Sequence, residues 1–132
     1  MNFKELNKTI ESDFDLNPHT LETKLREIPK LHNKYLKIWF KEKNKLLLLE
    51  KELKSLYRKK WYYYHDDYSY NLDKKHIEWH IESDDEYSKK LYIFDRQKHL
   101  VNYFEQVIRK VNSFNFDIKN FIEYKKFLNG IV

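Results

Sequence analysis

Residues 29–60 read PKLHNKYLKIWFKEKNKLLLLEKELKSLYRKK, and this stretch decides the fold. Tyr35, Trp39, Leu46, Leu49, Leu53 and Leu56 return on steps of three and four, with one lapse at Glu42. That is the period of an α-helix with an apolar face, sustained for about 45 Å at 1.5 Å per residue. Leu36, Phe40, Leu47 and Leu48 widen the stripe, so the helix needs partners on more than one side.

On the N-terminal side, Pro29 lacks a backbone N–H and crowds the preceding turn, which predicts a kink or a fresh start there. Ahead of it, Leu21, Leu25 and Ile28 mark a helix that follows the Asn17-Pro18 turn, with His19 or Thr20 near its cap. Phe3, Leu6 and Ile10 mark a short amphipathic helix before that turn. On the C-terminal side the helical signal fails at WYYYHDDYSYNLD, residues 61–73, where aromatics, Asp and Asn disfavour helix. HIEWHIE, residues 76–82, fits a short helix or an alternating strand, so a short β-hairpin over residues 62–81 is allowed.

Ser83 with Glu86 three residues on predicts the cap of a second long helix. Leu100, Phe104, Val107, Val111 and Phe114 give it a heptad-like seam. The pattern breaks at NSFNFD, after which Ile118, Phe121, Ile122 and Phe127 predict a final helix stopped by Asn129-Gly130. The expected fold is mainly α, two long helices with shorter flanking ones. At 132 residues it reads as one domain in three parts: 1–64, a connector over 65–82, and 83–132.

Composition narrows the function. The chain has no cysteine, which excludes disulfides and thiolate metal sites, and one glycine, Gly130, so no loop cradles a nucleotide phosphate. The charged N-terminus is no secretory signal, and the longest aliphatic run, Leu46 to Leu49, is far too short for a span. A soluble, intracellular protein is expected. No alanine and 22 lysines against 4 arginines follow AT-rich codons, so tyrosine number alone carries little weight. Charge grouping carries more: residues 41–60 sum to +5 and residues 61–86 to −6, a basic block beside an acidic one.

The basic block runs into LYRKKWYYYHDDYSY, residues 56–70. A single strand of nucleic acid is held by cations along its phosphates and by flat side chains on which bases stack. Lys51, Lys54, Arg58, Lys59 and Lys60 supply the cations; Trp61, Tyr62, Tyr63 and Tyr64 supply the rings. The plain alternative is that some of these aromatics pack in the core and the lysines are a solvated face. His76 and His80 stand four apart, yet Ile77 sits where the zinc-protease motif has glutamate, so two surface histidines are the default. Asp84, Asp85 and Glu86 read first as acidic partners of a helix N-terminus. With His80, Asp84 and Asp85 also outline a metal-dependent nuclease, and a helical scaffold without DNA affinity is a further alternative.

The order of these features resembles the UvsY family of recombination mediators from T4-like bacteriophages, over nearly the whole chain. LNKTIESDFDLNPHTLETKLREIPKLHNKYL, residues 6–36, resembles the family's opening segment, with Leu31, Lys34, Tyr35 and Leu36 as its lysine-aromatic-leucine element. Leu56 through Tyr63 matches a basic stretch ending in paired tyrosines. Phe116, Ile118, Lys119, Ile122 (displaced by one), Phe127 and Gly130 match the family's C-terminal pattern. The chain departs from it in three contiguous cations, in Tyr57 at a position that can be basic, and in Trp61 at an acidic position.

The resemblance implies a protein without enzymatic activity, cofactor or metal that acts in recombination, repair and replication. It implies binding to single-stranded DNA, help in displacing the single-stranded-DNA-binding protein, and loading of the phage recombinase in the cytoplasm of the infected bacterium. It also implies a ring-like homo-oligomer of about six to seven subunits, closed as cyclic assemblies are. The C-terminal region carries that assembly in the family, which points to Leu100, Phe104, Val107, Val111, Phe114, Ile118, Phe121, Ile122 and Phe127. The acidic region from Asp66 to Glu86 is the expected dock for a protein partner.

Overall fold

A computed structural model describes residues 2–130, which form four α-helices and one π-helical turn, with no strand among the described residues. Helix α1 spans Phe3–Asp13, α2 Leu21–Tyr62, α3 Lys74–Glu82 and α4 Asp85–Leu128, and the π-helical turn covers Tyr63–Asp67. The chain divides into two compact units, one of residues 1–38 with 104–132, the other of residues 39–103.

Several boundaries correct the sequence reading. Helix α2 passes through Pro29 without a fresh start. The proline forfeits its bond to the Leu25 carbonyl and its ring crowds that turn, at a position exposed to solvent. Helix α4 is likewise unbroken through NSFNFD, because Phe114 and Ile118 extend the seam from Val111 by steps of three and four and are buried. Their burial outweighs the weak helix propensity of Asn112, Asn115 and Asp117. The hairpin over 62–81 does not form. Its first residues complete α2 and the π-helical turn, and HIEWHIE is helical, burying Ile77 and Ile81 while Trp79, which a strand would place on their face, stays exposed. The cap of α4 is Asp84, one residue beyond Ser83: its Oδ1 accepts the Tyr87 N–H at 3.0 Å, while Ser83 ends α3. At the far end the helix stops where expected, with Gly130 at φ 70°, the left-handed conformation glycine favours.

In the first unit α1 is tied to α2 by Asp13, whose Oδ2 accepts from Lys34 Nζ and from the Tyr35 hydroxyl, both at 2.6 Å. Lys24 Nζ donates to the Ser12 and Asp13 carbonyls at 2.8 and 3.3 Å, satisfying groups that the end of α1 leaves open. Phe14 then stacks on Tyr35 at 6.4 Å and meets Phe114 of α4 edge-on at 5.0 Å.

In the second unit α2 and α4 run antiparallel, as three successive pairs show: Glu42 with Gln97, Glu52 with Lys90, and Lys60 with Glu86. The lapse in the α2 stripe is therefore a buried carboxylate. Glu42 is 4% exposed, and Gln97 Nε2 donates both to its Oε2 at 2.7 Å and to its backbone carbonyl at 2.9 Å. Gln97→Ala leaves the buried Glu42 carboxylate with only the longer contact from Lys45 at 3.4 Å, and urea unfolding should show a loss of about 2 kcal/mol. An unchanged midpoint would mean that water replaces the amide without cost.

Candidate nucleic-acid interface

Helix periodicity sorts the nine residues expected to contact a strand into two groups. Lys51, Lys54 and Arg58 follow one another by three and four, so they share a face of α2, and all three are exposed. With Leu47, Glu50 and Ser55 they line a shallow groove in which Glu50 pairs with Lys54 at 3.3 Å. Leu47 and Leu48 are exposed there as well. Lys59, Tyr62 and Tyr63 also face solvent, the two rings 59% and 47% exposed.

Lys60, Trp61 and Tyr64 turn the other way. Tyr64 is buried with Ile77 and Ile81, and Trp61 packs against that cluster with Tyr57, Tyr68, Leu72 and Tyr87. The Tyr64 hydroxyl donates to Asp84 Oδ2 at 2.9 Å, and Lys60 Nζ reaches the same oxygen at 3.2 Å and Glu86 Oε2 at 3.0 Å. Asp84 thus binds the end of α2, the π-helical turn and the first turn of α4 through one carboxylate. Sequence reasoning missed this role, since partners twenty or more residues apart leave no local signal.

The electrostatics follow from the geometry. Burial alone would raise the Asp84 carboxyl, yet the Tyr87 N–H, the Tyr64 hydroxyl and the Lys60 ammonium together hold it below its usual 3.8. Burial pushes Tyr64 up to about 12, helped by its hydrogen bond to the Asp84 carboxylate. Lys60 is raised chiefly by its hydrogen bond to Glu86, against the effect of burial. Its charge is therefore permanent but already answered inside the protein.

The other candidates are placed as plainly. His76 Nδ1 pairs with Asp73, and the His80 ring stacks on Tyr64 at 5.2 Å, so the two imidazoles serve different neighbours. Among the described residues no group of three or more His, Asp or Glu side chains is gathered as a metal would require. No helix among them is long and apolar enough to cross a membrane. In α4, Phe104, Val107, Val111, Phe114 and Ile118 are buried inside the protomer. Leu100, Phe121 and Ile122 are half-buried and Phe127 is exposed, as are Phe116, Tyr124 and Leu128.

Comparison with known proteins gives the arrangement a context. A family model described as UvsY, recombination, repair and ssDNA binding protein, matches residues 9–131. No curated protein matches the chain by sequence. Among solved structures, crystal structures of the bacteriophage T4 recombination mediator protein UvsY superpose closely. Lattice type II gives a TM-score of 0.86 at 17% identity, covering 98% of each chain. Lattice type IV gives 0.85 at 16% identity, covering 96% of this chain and 98% of that one. Identity this low speaks for the fold alone.

Proposed function

This chain belongs to the UvsY family, and from that premise we propose that it is a recombination mediator that holds single-stranded DNA on the exposed face of α2. One observation carries the reading: Lys51, Lys54 and Arg58 stand in a row on solvent-facing helix, leading to exposed Tyr62 and Tyr63 with Lys59 beside them. Cations in a row follow phosphates, and free tyrosine faces accept bases. Lys60, Trp61 and Tyr64 support the surface from within.

A patch this small holds a strand weakly, and repetition makes the grip firm. In a homo-oligomeric ring each further contact is intramolecular, so avidity rises with effective concentration and without new contacts. The exposed apolar residues near the end of α4, Phe116, Phe127 and Leu128, suit contacts between subunits better than the buried seam does. A strand bent around such a ring is presented to the recombinase and withdrawn from the single-stranded-DNA-binding protein. These two are the partners, and the cytoplasm of the infected bacterium is the setting. The protein needs no chemistry of its own for this.

Titrating a labelled oligonucleotide across salt tests the reading. Arg58→Ala with Lys59→Ala should flatten the dependence of log affinity on log salt by about 1.4 for each subunit the oligonucleotide engages, two phosphates at roughly 0.7 each. Oligomer size on a sizing column should not change. A wild-type protein without affinity at moderate salt is a scaffold, and an unchanged slope in the variant places the strand elsewhere.

A further inference from the structure

Tyr68 and Tyr70 lie beyond the surface described so far, in the segment whose acidic neighbours pointed to a protein partner. Ring contacts join them to it. Tyr63 meets Tyr68 at 6.3 Å, and Tyr68 meets Tyr70 at 6.1 Å, so three rings follow one another from the π-helical turn outward. Tyr68 is held from behind, 5.4 Å from the buried Tyr64 ring and 5.1 Å from His80. Tyr70 at the end of the series is 71% exposed.

Three features favour nucleic-acid bases as the occupant. The series is continuous with Tyr63, at the end of the cationic row. A tyrosine ring gives large contact area, and one steadied by a fixed neighbour has little freedom left to lose on binding. Exposed Asp66 and Asp67 accompany the rings, and their charge repels phosphate while leaving uncharged bases unopposed. Carboxylates on the ring side and ammonium groups on the α2 side orient a strand, with bases toward one and backbone toward the other.

We propose that Tyr70, positioned by Tyr68, is a base-stacking residue that extends the single-strand surface from Tyr62 and Tyr63 along the connector. This rests on the single-strand reading above. Stacking and charge leave different marks in a salt titration, because a stacked base releases no counterions. With a labelled oligothymidine, Tyr70→Ala should weaken binding about ten-fold for each subunit engaged, at every salt concentration, and leave the slope as in wild type. Tyr70→Phe, which keeps the ring, should restore affinity. The side chain stands in solvent, so the alanine variant should fold as wild type does by circular dichroism.

Unchanged affinity in Tyr70→Ala, a flattened slope, or a phenylalanine variant as weak as alanine would each overturn the assignment. The two readings fail differently. If Arg58→Ala with Lys59→Ala flattens the slope while Tyr70→Ala is silent, only the stacking assignment falls. If wild-type protein ignores the oligonucleotide, both fall.

Discussion

Phe114→Ala is expected to lower the unfolding free energy by about 3–5 kcal/mol, the usual loss for truncating a buried aromatic. Phe114 is 2% exposed and makes an edge-on contact with Phe14 at 5.0 Å, linking α1 to α4 within the first unit. Alanine there leaves a cavity and removes the ring pair, itself worth roughly 0.5–1.5 kcal/mol of that total. In thermal unfolding followed by circular dichroism, the midpoint should fall by more than about 10 °C. The size of the drop decides between two roles for the α4 seam. A core residue costs the same at every protein concentration, whereas a residue buried only between subunits gives a loss that is absent in dilute protein and grows to a plateau as concentration rises. A small, concentration-dependent shift would return Phe114 to the oligomer interface.

The long helices were legible because periodicity survives local insults. Pro29 and the Asn-rich NSFNFD argue against helix residue by residue, yet Tyr35 and Leu46 beyond the first and Ile118 beyond the second are buried in register. Reading Val111, Phe114 and Ile118 as one series would have joined α4 from sequence alone. The hairpin was a different failure. In HIEWHIE both periods put Ile77 and Ile81 on one face, and they differ over Trp79, which a strand would bury beside them and the helix leaves exposed.

At the candidate interface the residue types were legible and their directions were not. Consecutive residues on a helix diverge by about 100°, so RKKWYYY cannot face one way, and its phase depends on distant partners. Asp84 sets that phase by drawing Lys60 and Tyr64 inward, which leaves Arg58, Lys59, Tyr62 and Tyr63 outside. The same reasoning recovers Tyr68 and Tyr70, which read as connector until ring contacts joined them to Tyr63.

Asp84 is therefore the residue whose removal should disturb stability and DNA binding in opposite senses. Asp84→Ala loses a helix cap, worth about 1 kcal/mol, and charge-assisted bonds to Tyr64 and Lys60, for a total near 3 kcal/mol at neutral pH. The sign of the pH dependence follows from the shifts. A carboxyl held below 3.8 stabilises the fold above that value and loses its contribution as pH falls through the depressed value. Tyr64, raised from 10.0 to about 12, stabilises it below pH 10 and loses that contribution as pH climbs toward 12. The gap between wild type and Asp84→Ala in urea unfolding should thus be widest near neutrality and narrow strongly by pH 2. A constant gap down to that pH would show that side-chain packing, not the carboxylate, matters. Meanwhile Lys60, freed of one partner, has only Glu86 left, and Glu86 is 68% exposed. In the Asp84→Ala, Glu86→Gln double variant the ammonium is open to phosphate, and the salt dependence of strand binding should steepen by about 0.7 for each subunit engaged. A scaffold residue with no part in arranging charge would weaken binding without steepening it. The opposed result, lower stability with a steeper slope, is the mark of a carboxylate that keeps one cation out of the strand's reach while it holds the others in place.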